Sequence, residues 1–212
     1  MSFSDIKAVI FDCDGVLFNT TRANTIYYNR LLNRFGLPDM TPEQFAFVHM
    51  QTVGVSMKYL FEETEHLEAA EAARREMGYW DLIPEMEMEP DLKPLLDLLR
   101  PRRRTAVATN RTDTMGKVIE VHGLSGRFDM VVTSLDVDRP KPAPDMLGKI
   151  LDTFSLSSCQ AVYVGDSEVD ESAASAADMP FIAFRNRTLK TAAAHVDRLS
   201  SIAGLLDPPQ AR

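Results

Sequence analysis

Five short stretches of the chain are largely apolar: IKAVIF (6–11), TAVAT (105–109), FDMVVT (128–133), QAVYVG (160–165) and PFIAF (180–184). A strand with one wet face alternates apolar and polar residues, whereas a strand covered on both faces does not. From residue 90 onward these runs take turns with helical patterns, DLKPLLDLLR, TDTMGKVIEVHGL, PDMLGKILDTF and ESAASAAD. Strand, helix, strand in succession predicts an α/β domain whose strands are parallel and joined by right-handed crossovers.

Residues 16–88 break this rhythm. They hold no strand-like run but offer helical ones: TRANTIYYNRLLNRFG, closed by Gly36 and Pro38, and the long MKYLFEETEHLEAAEAARREMGYW. TPEQ (41–44) reads as a capping box with proline at the first helical position. The expected organisation is therefore an α/β core of residues 1–15 and 89–212, interrupted after its first strand by a helical cap of residues 16–88.

Composition places the 212-residue chain, with 45% hydrophobic and 25% charged residues, among ordinary globular proteins. The net charge of −8 is concentrated in residues 60–91, where eleven acidic side chains face only Arg74 and Arg75. That excess speaks against a nucleic-acid partner. The basic cluster RPRRRT (100–105) directly precedes a strand and is expected as a solvated loop at the opposite end of the sheet from the motifs below. No secretory leader or membrane-spanning run is evident, which points to a cytoplasmic protein with no membrane partner, expected as a monomer or weak homodimer. Cys13 and Cys159 lie in or beside apolar runs and read as reduced packing residues.

Candidate chemistry sits where the strands end. In an open parallel sheet, ligands bind at the carboxyl ends of the strands. The first run ends in Asp12 and Asp14, the second in Thr109, Asn110 and Arg111, and the fourth in GDSEVD with Asp166 and Asp170; RPKPAPD, after the third, carries Lys141. DCDG is no calcium loop: a third oxygen ligand is missing before its glycine, and position twelve is Ala23. Thr109 and Asn110 are also plausible helix caps, and SEVD (167–170) fits a capping box in which Asp170 is structural.

Taken together, FDCDGVLFNT, VATN, RPKPAPD and VGDSEVD resemble, in order, the four motifs of the haloacid dehalogenase superfamily of hydrolases. The helical insertion between the first two resembles its phosphoglycolate phosphatase-like and β-phosphoglucomutase-like groups. The resemblance implies a Rossmann-like core and a magnesium-dependent phosphatase acting on a small phosphorylated metabolite. By it Asp12 is the nucleophile and Asp14 the acid and base. Asp12, Asp14 and Asp166 hold Mg²⁺, with Asp170 ligating or orienting, while Thr109, Asn110, Arg111 and Lys141 hold the phosphoryl group.

Attack by a carboxylate splits hydrolysis into two easier displacements, and a hard cation offsets the repulsion between carboxylates and a phosphoryl dianion. Crowding among carboxylates is expected to raise the pKa of Asp14. For the leaving group, VGVSM (53–57) is expected as a cap loop turning at Gly54, with Lys58, Arg22, Asn24 and His49 as candidate contacts. Val53 and Met57 stand where the phosphoglucomutase-like pattern has two cations, which disfavours phosphoryl transfer to a sugar phosphate. A family member serving only as a binding module is the remaining alternative.

Overall fold

The computed structural model describes residues 3–207. Each apolar run forms a strand. β1 (Ala8–Phe11) is followed by two short strands, β2 (Phe18–Asn19) and β3 (Glu87–Met88), then by β4 (Arg104–Thr109), β5 (Met130–Thr133), β6 (Ala161–Gly165), β7 (Phe181–Phe184) and β8 (Ala194–Val196). Six of them make one sheet in the order β5-β4-β1-β6-β7-β8, every pairing parallel. The chain runs outward from β1 through β4 to β5 and then returns to β6 on the other side, so strand order reverses at β1. That reversal opens a crevice at the carboxyl ends of β4, β1 and β6.

The absence of alternation in the strands has its cause in two cores. Val9, Phe11, Val107, Val162, Val164, Ile182 and Phe184 face one side of the sheet, while Ala8, Ile10, Ala106, Ala108, Tyr163, Phe181 and Ala183 face the other. On the first side α5 (Leu92–Leu99) buries Leu92, Leu95, Leu96 and Leu99, a stripe at helical spacing. On the second, α7 (Asp145–Phe154) buries Met146, Leu147, Ile150 and Leu151. At about 1.5–3 kcal/mol for each large apolar side chain removed from water, these two stripes anchor the crossovers. No helix of the described residues is long and apolar enough to cross a membrane.

Between β2 and β3 the chain is helical: α1 (Thr21–Arg34), α2 (Pro42–Met50), α3 (Val53–Phe61) and α4 (Leu67–Met77). Thr41 and Gln44 form the expected capping box of α2. The antiparallel pairs Phe18–Met88 and Asn19–Glu87 bring the way out of the core and the way back side by side.

Several expectations are corrected. The long helical pattern after residue 57 is two helices, parted where the Thr64 hydroxyl donates to the Phe61 carbonyl (2.7 Å) and accepts from the His66 amide (3.1 Å), competing with the helical ladder. VGVSM is no loop; it is the start of α3, whose Thr52 cap accepts from the Val55 amide. Arg103 is not solvated: it is buried and donates to the Ile6 and Leu206 carbonyls and to Asp207, clamping the end of α9 (Ser201–Leu206) under the sheet. Cys13 is buried as expected, whereas Cys159 is exposed.

Candidate active site

Asp12 directly follows β1, and the chain then turns sharply: the Leu17 and Phe18 amides both donate to the Cys13 carbonyl. Gly15 makes this turn possible. Its φ is +81°, and a Cβ there would lie 2.0 Å from Asp166 Oδ2. The ends of β1 and β6 therefore meet through a backbone with no side chain between them.

Lys141 reaches this point from the loop after β5 and is almost wholly buried. Its ammonium donates to Asp12 Oδ1, Asp170 Oδ1 and the Tyr163 hydroxyl, each at 2.7 Å, which uses all three protons. Both carboxylates hold the lysine pKa above its ordinary value although burial acts to lower it. Asp170 is saturated too. Its Oδ1 accepts from Lys141 and Tyr163 (2.8 Å), and its Oδ2 from the Asp166 and Ser167 amides (3.2 Å each) and the Ser167 hydroxyl (2.6 Å). Ser167 and Asp170 thereby form the expected capping box of α8 (Glu168–Ala176). Burial raises the Asp170 pKa, but Lys141 and these hydrogen bonds outweigh it and hold the group below its usual range.

The other carboxylates differ. Burial pushes Asp12 up to about 7 against the pull of Lys141, with Asp170 and Asp14 adding to the rise. Asp166 is also raised well above its ordinary value, by burial and then by Asp170 and Asp12, and its side chain has no hydrogen-bond partner among the described residues. Carboxylate oxygens of Asp12, Asp166 and Asp170 lie within 4.8 Å of one another. Three such groups with one lysine leave uncompensated negative charge, and an unpartnered half-buried carboxylate among them suits a hard divalent cation.

Asp14 runs opposite to expectation. Arg111 grips it with two bonds, Nε to Oδ2 at 2.7 Å and Nη2 to Oδ1 at 2.8 Å. Burial pushes the Asp14 pKa up, but the charge and hydrogen bonds of Arg111 prevail and hold it below the usual carboxylate range. Burial, with neighbouring carboxylates adding to it, raises Asp12 and Asp166 instead. Thr109 ends β4 and accepts from the Arg111 amide (3.2 Å), and its hydroxyl proton has no acceptor among the described residues. The Asn110 amide donates to the Lys141 carbonyl (3.1 Å) and to the Met50 carbonyl of the helical segment (3.4 Å), so its protons are already in use.

All of these groups except Asp170 and Tyr163 line a cavity of about 430 Å³ between the sheet ends and the helices, joined there by Asn24, His49, Tyr79 and Arg75. Gly54, Lys58 and Arg22 are not brought to it. Lys58 is exposed and paired with Glu62, Arg22 is paired with Glu85, and Gly54 lies in α3 beside the exposed Val55. Tyr163, absent from the sequence reading, had one signal: a hydroxyl inside an otherwise apolar buried strand must find a partner.

Fold and site together define a hydrolase of the haloacid dehalogenase type. The family model for haloacid dehalogenase-like hydrolases matches residues 9–184, and the chain belongs to that family. It is 28% identical to a phosphoglycolate phosphatase of Aliivibrio fischeri over 82% of each chain. It is 24% identical to the pyrophosphatase PpaX of Bacillus velezensis over 80% of this chain and 79% of the relative. A crystal structure of a haloacid dehalogenase superfamily hydrolase, subfamily IA, from Geobacter sulfurreducens superposes with a TM-score of 0.80 at 34% identity, covering 97% of this chain and 98% of the other. The chain is a hydrolase of this family and stands among its phosphatases.

Proposed function

We propose that the protein is a magnesium-dependent phosphatase that hydrolyses a small phosphate monoester of the phosphoglycolate kind through an aspartyl-phosphate on Asp12. The observation that carries this reading is the buried Lys141 ammonium held between Asp12 and Asp170, beside the unpartnered carboxylate of Asp166. Asp12, Asp166 and the backbone carbonyl of Asp14 would hold Mg²⁺. When bound, the ion supplies the hard positive charge that lets a phosphoryl dianion approach these carboxylates. Asp170, its lone pairs already engaged, orients Lys141 and the Asp166 loop.

Lys141 fixes Asp12 through Oδ1, and Oδ2 has no hydrogen bond among the described residues. A lone pair of Oδ2 attacks phosphorus, the bond from phosphorus to the ester oxygen breaks, and that oxygen takes a proton from Asp14. Water then attacks phosphorus, gives a proton back to Asp14, and breaks the bond to Asp12, releasing inorganic phosphate. The pairing with Arg111 keeps Asp14 ionised and ready as the base; to serve as the acid it must first leave Arg111. Thr109 donates its hydroxyl to a phosphoryl oxygen, and Lys141 balances charge on the transferring group. Residues 16–88 form the cap that closes over the cavity and excludes bulk water. Hydrolysis is preferred to transfer onto a sugar phosphate because α3 sends no cation into the cavity: Val53 and Met57 are apolar and Lys58 faces out. Asp12→Asn, assayed with Mg²⁺ on simple phosphate esters, is expected to lose turnover while keeping the fold. Wild-type rates from that variant would falsify the mechanism.

A further inference from the structure

The core groups above are complete for a phosphoryl group, and the leaving group must then lie in the helical half of the cavity. A chain of contacts runs into that half from Asp14, a cation over a ring first and oriented hydrogen bonds after it. Arg111 can only donate; besides its two bonds to Asp14 and one to the Thr114 hydroxyl (3.2 Å), its guanidinium carbon lies 5.0 Å from the centre of the Tyr79 ring. The Tyr79 hydroxyl, with a pKa pushed up to about 12 by burial, keeps its proton and donates it to Asn24 Oδ1 at 2.5 Å. Because Oδ1 is taken, the Asn24 amide nitrogen faces the remaining two neighbours. It donates to the Thr20 hydroxyl (3.3 Å) and to His49 Nδ1 (3.2 Å).

A neutral imidazole whose Nδ1 accepts carries its proton on Nε2. His49 is held in place by stacking on Phe45, with ring centres 5.2 Å apart and planes 26° apart, and burial keeps its pKa below the ordinary histidine value. Its Nε2 has no hydrogen bond among the described residues, and the ring lines the cavity. Arg75 lines the same cavity and forms no ion pair among the described residues.

On the phosphatase reading given above, we propose that His49 determines specificity. Its Nε2–H, oriented by Tyr79 and Asn24, donates to a carboxylate on the leaving group of the ester, with Arg75 as the cation that balances that charge. Preferred substrates are thus small phosphate esters with a carboxylate close to the bridging oxygen.

Two measurements test this. In ring-nitrogen NMR of isotope-labelled protein, His49 is expected as the Nε2–H tautomer; the Nδ1–H tautomer overturns the proposal. In Mg²⁺ assays, kcat/KM on phosphoglycolate divided by that on 4-nitrophenyl phosphate is expected to fall about tenfold or more in His49→Phe, chiefly through KM. Tyr79→Phe should lower the ratio less, and His49→Gln, whose amide can still donate, should recover part of it. A ratio unchanged in His49→Phe overturns the proposal. If the wild type hydrolyses neither ester, the phosphatase reading fails, and His49 is judged by its tautomer together with its response to added phosphoglycolate. A shift of its ring resonances absent with 4-nitrophenyl phosphate supports the proposal; no such shift overturns it.

Discussion

Tyr163 shows how far a single hydroxyl can matter inside a buried site. It accepts from Lys141 and lies within hydrogen-bond reach of both Asp170 Oδ1 and the Ala108 carbonyl (3.1 Å). Tyr163→Phe leaves one ammonium proton of Lys141 buried without a partner, and we expect a loss of roughly 1–3 kcal/mol in stability. Because Lys141 then sits less firmly against Asp12, kcat should fall about tenfold with little change in KM. Denaturant titration and steady-state kinetics read the two effects separately, and a variant as stable and as fast as wild type would remove Tyr163 from the site. At the same scale Asp12 sets a pH dependence. Its carboxyl, ordinarily near 3.8, is raised to about 7 in the folded chain, so the cation-free fold binds a proton that the unfolded chain has released. The associated stability is present below about 4 and lost as pH rises through about 7. Mg²⁺ needs the ionised carboxylates, so its stabilising effect should grow over the same interval. Thermal melts in chelator and in Mg²⁺ at several pH values check this; a midpoint gain that shrinks as pH rises would contradict it.

Among elements, the turn after β1 is where sequence and site meet most directly. Gly15→Ala forces a Cβ onto the Asp166 carboxylate at a φ that L side chains rarely adopt. Metal affinity should drop at least tenfold, with a loss of 1 kcal/mol or so in stability; unchanged Mg²⁺ affinity by calorimetry would show that Asp166 is not a ligand. The same turn explains what sequence alone can and cannot disclose. The long buried strands were legible because two-sided burial writes itself as unbroken apolar runs, and Asp12, Asp166 and Lys141 because strand ends and their order are visible in the chain. β2, β3 and β8 are two or three residues long, too short for a period to show. The break at Thr64 depends on a side-chain hydrogen bond rather than on composition, so the two helices read as one. The grip of Arg111 on Asp14 joins residues 97 apart in sequence, and no local pattern announces such a pair. For the same reason Lys58 looked available for substrate although its helix turns it toward Glu62.

At the scale of the whole molecule, the question is what holds the helical segment against the core. The chain crosses between them at the short β2–β3 pair. Across the cavity, Asn110 donates from the end of β4 to the Met50 carbonyl at the end of α2, and Tyr79 packs against Arg111. His122, beyond α6 (Met115–Val121), bonds the Ile83 carbonyl at 3.0 Å. Asn110 is the informative member, because its other amide bond goes to the carbonyl of Lys141. One side chain thus joins the position of the helical segment to that of the lysine on Asp12, and its Oδ1 is buried without a partner among the described residues, a cost that folded proteins rarely accept. If closure assembles the site in this way, Asn110→Ala should slow every ester by one common factor of about tenfold, since it weakens closure without touching the leaving group. The His49 variants, by contrast, should change the ratio between esters. Hydrogen exchange provides the independent view: amides of α2 and α3 should exchange faster in Asn110→Ala, while those of β1, β4 and β6 stay protected. Should Asn110→Ala instead redistribute rates among esters and leave the exchange of α2 and α3 as it was, Asn110 would be a substrate contact, and the coupling of cap to lysine would have to run through Tyr79 and Arg111.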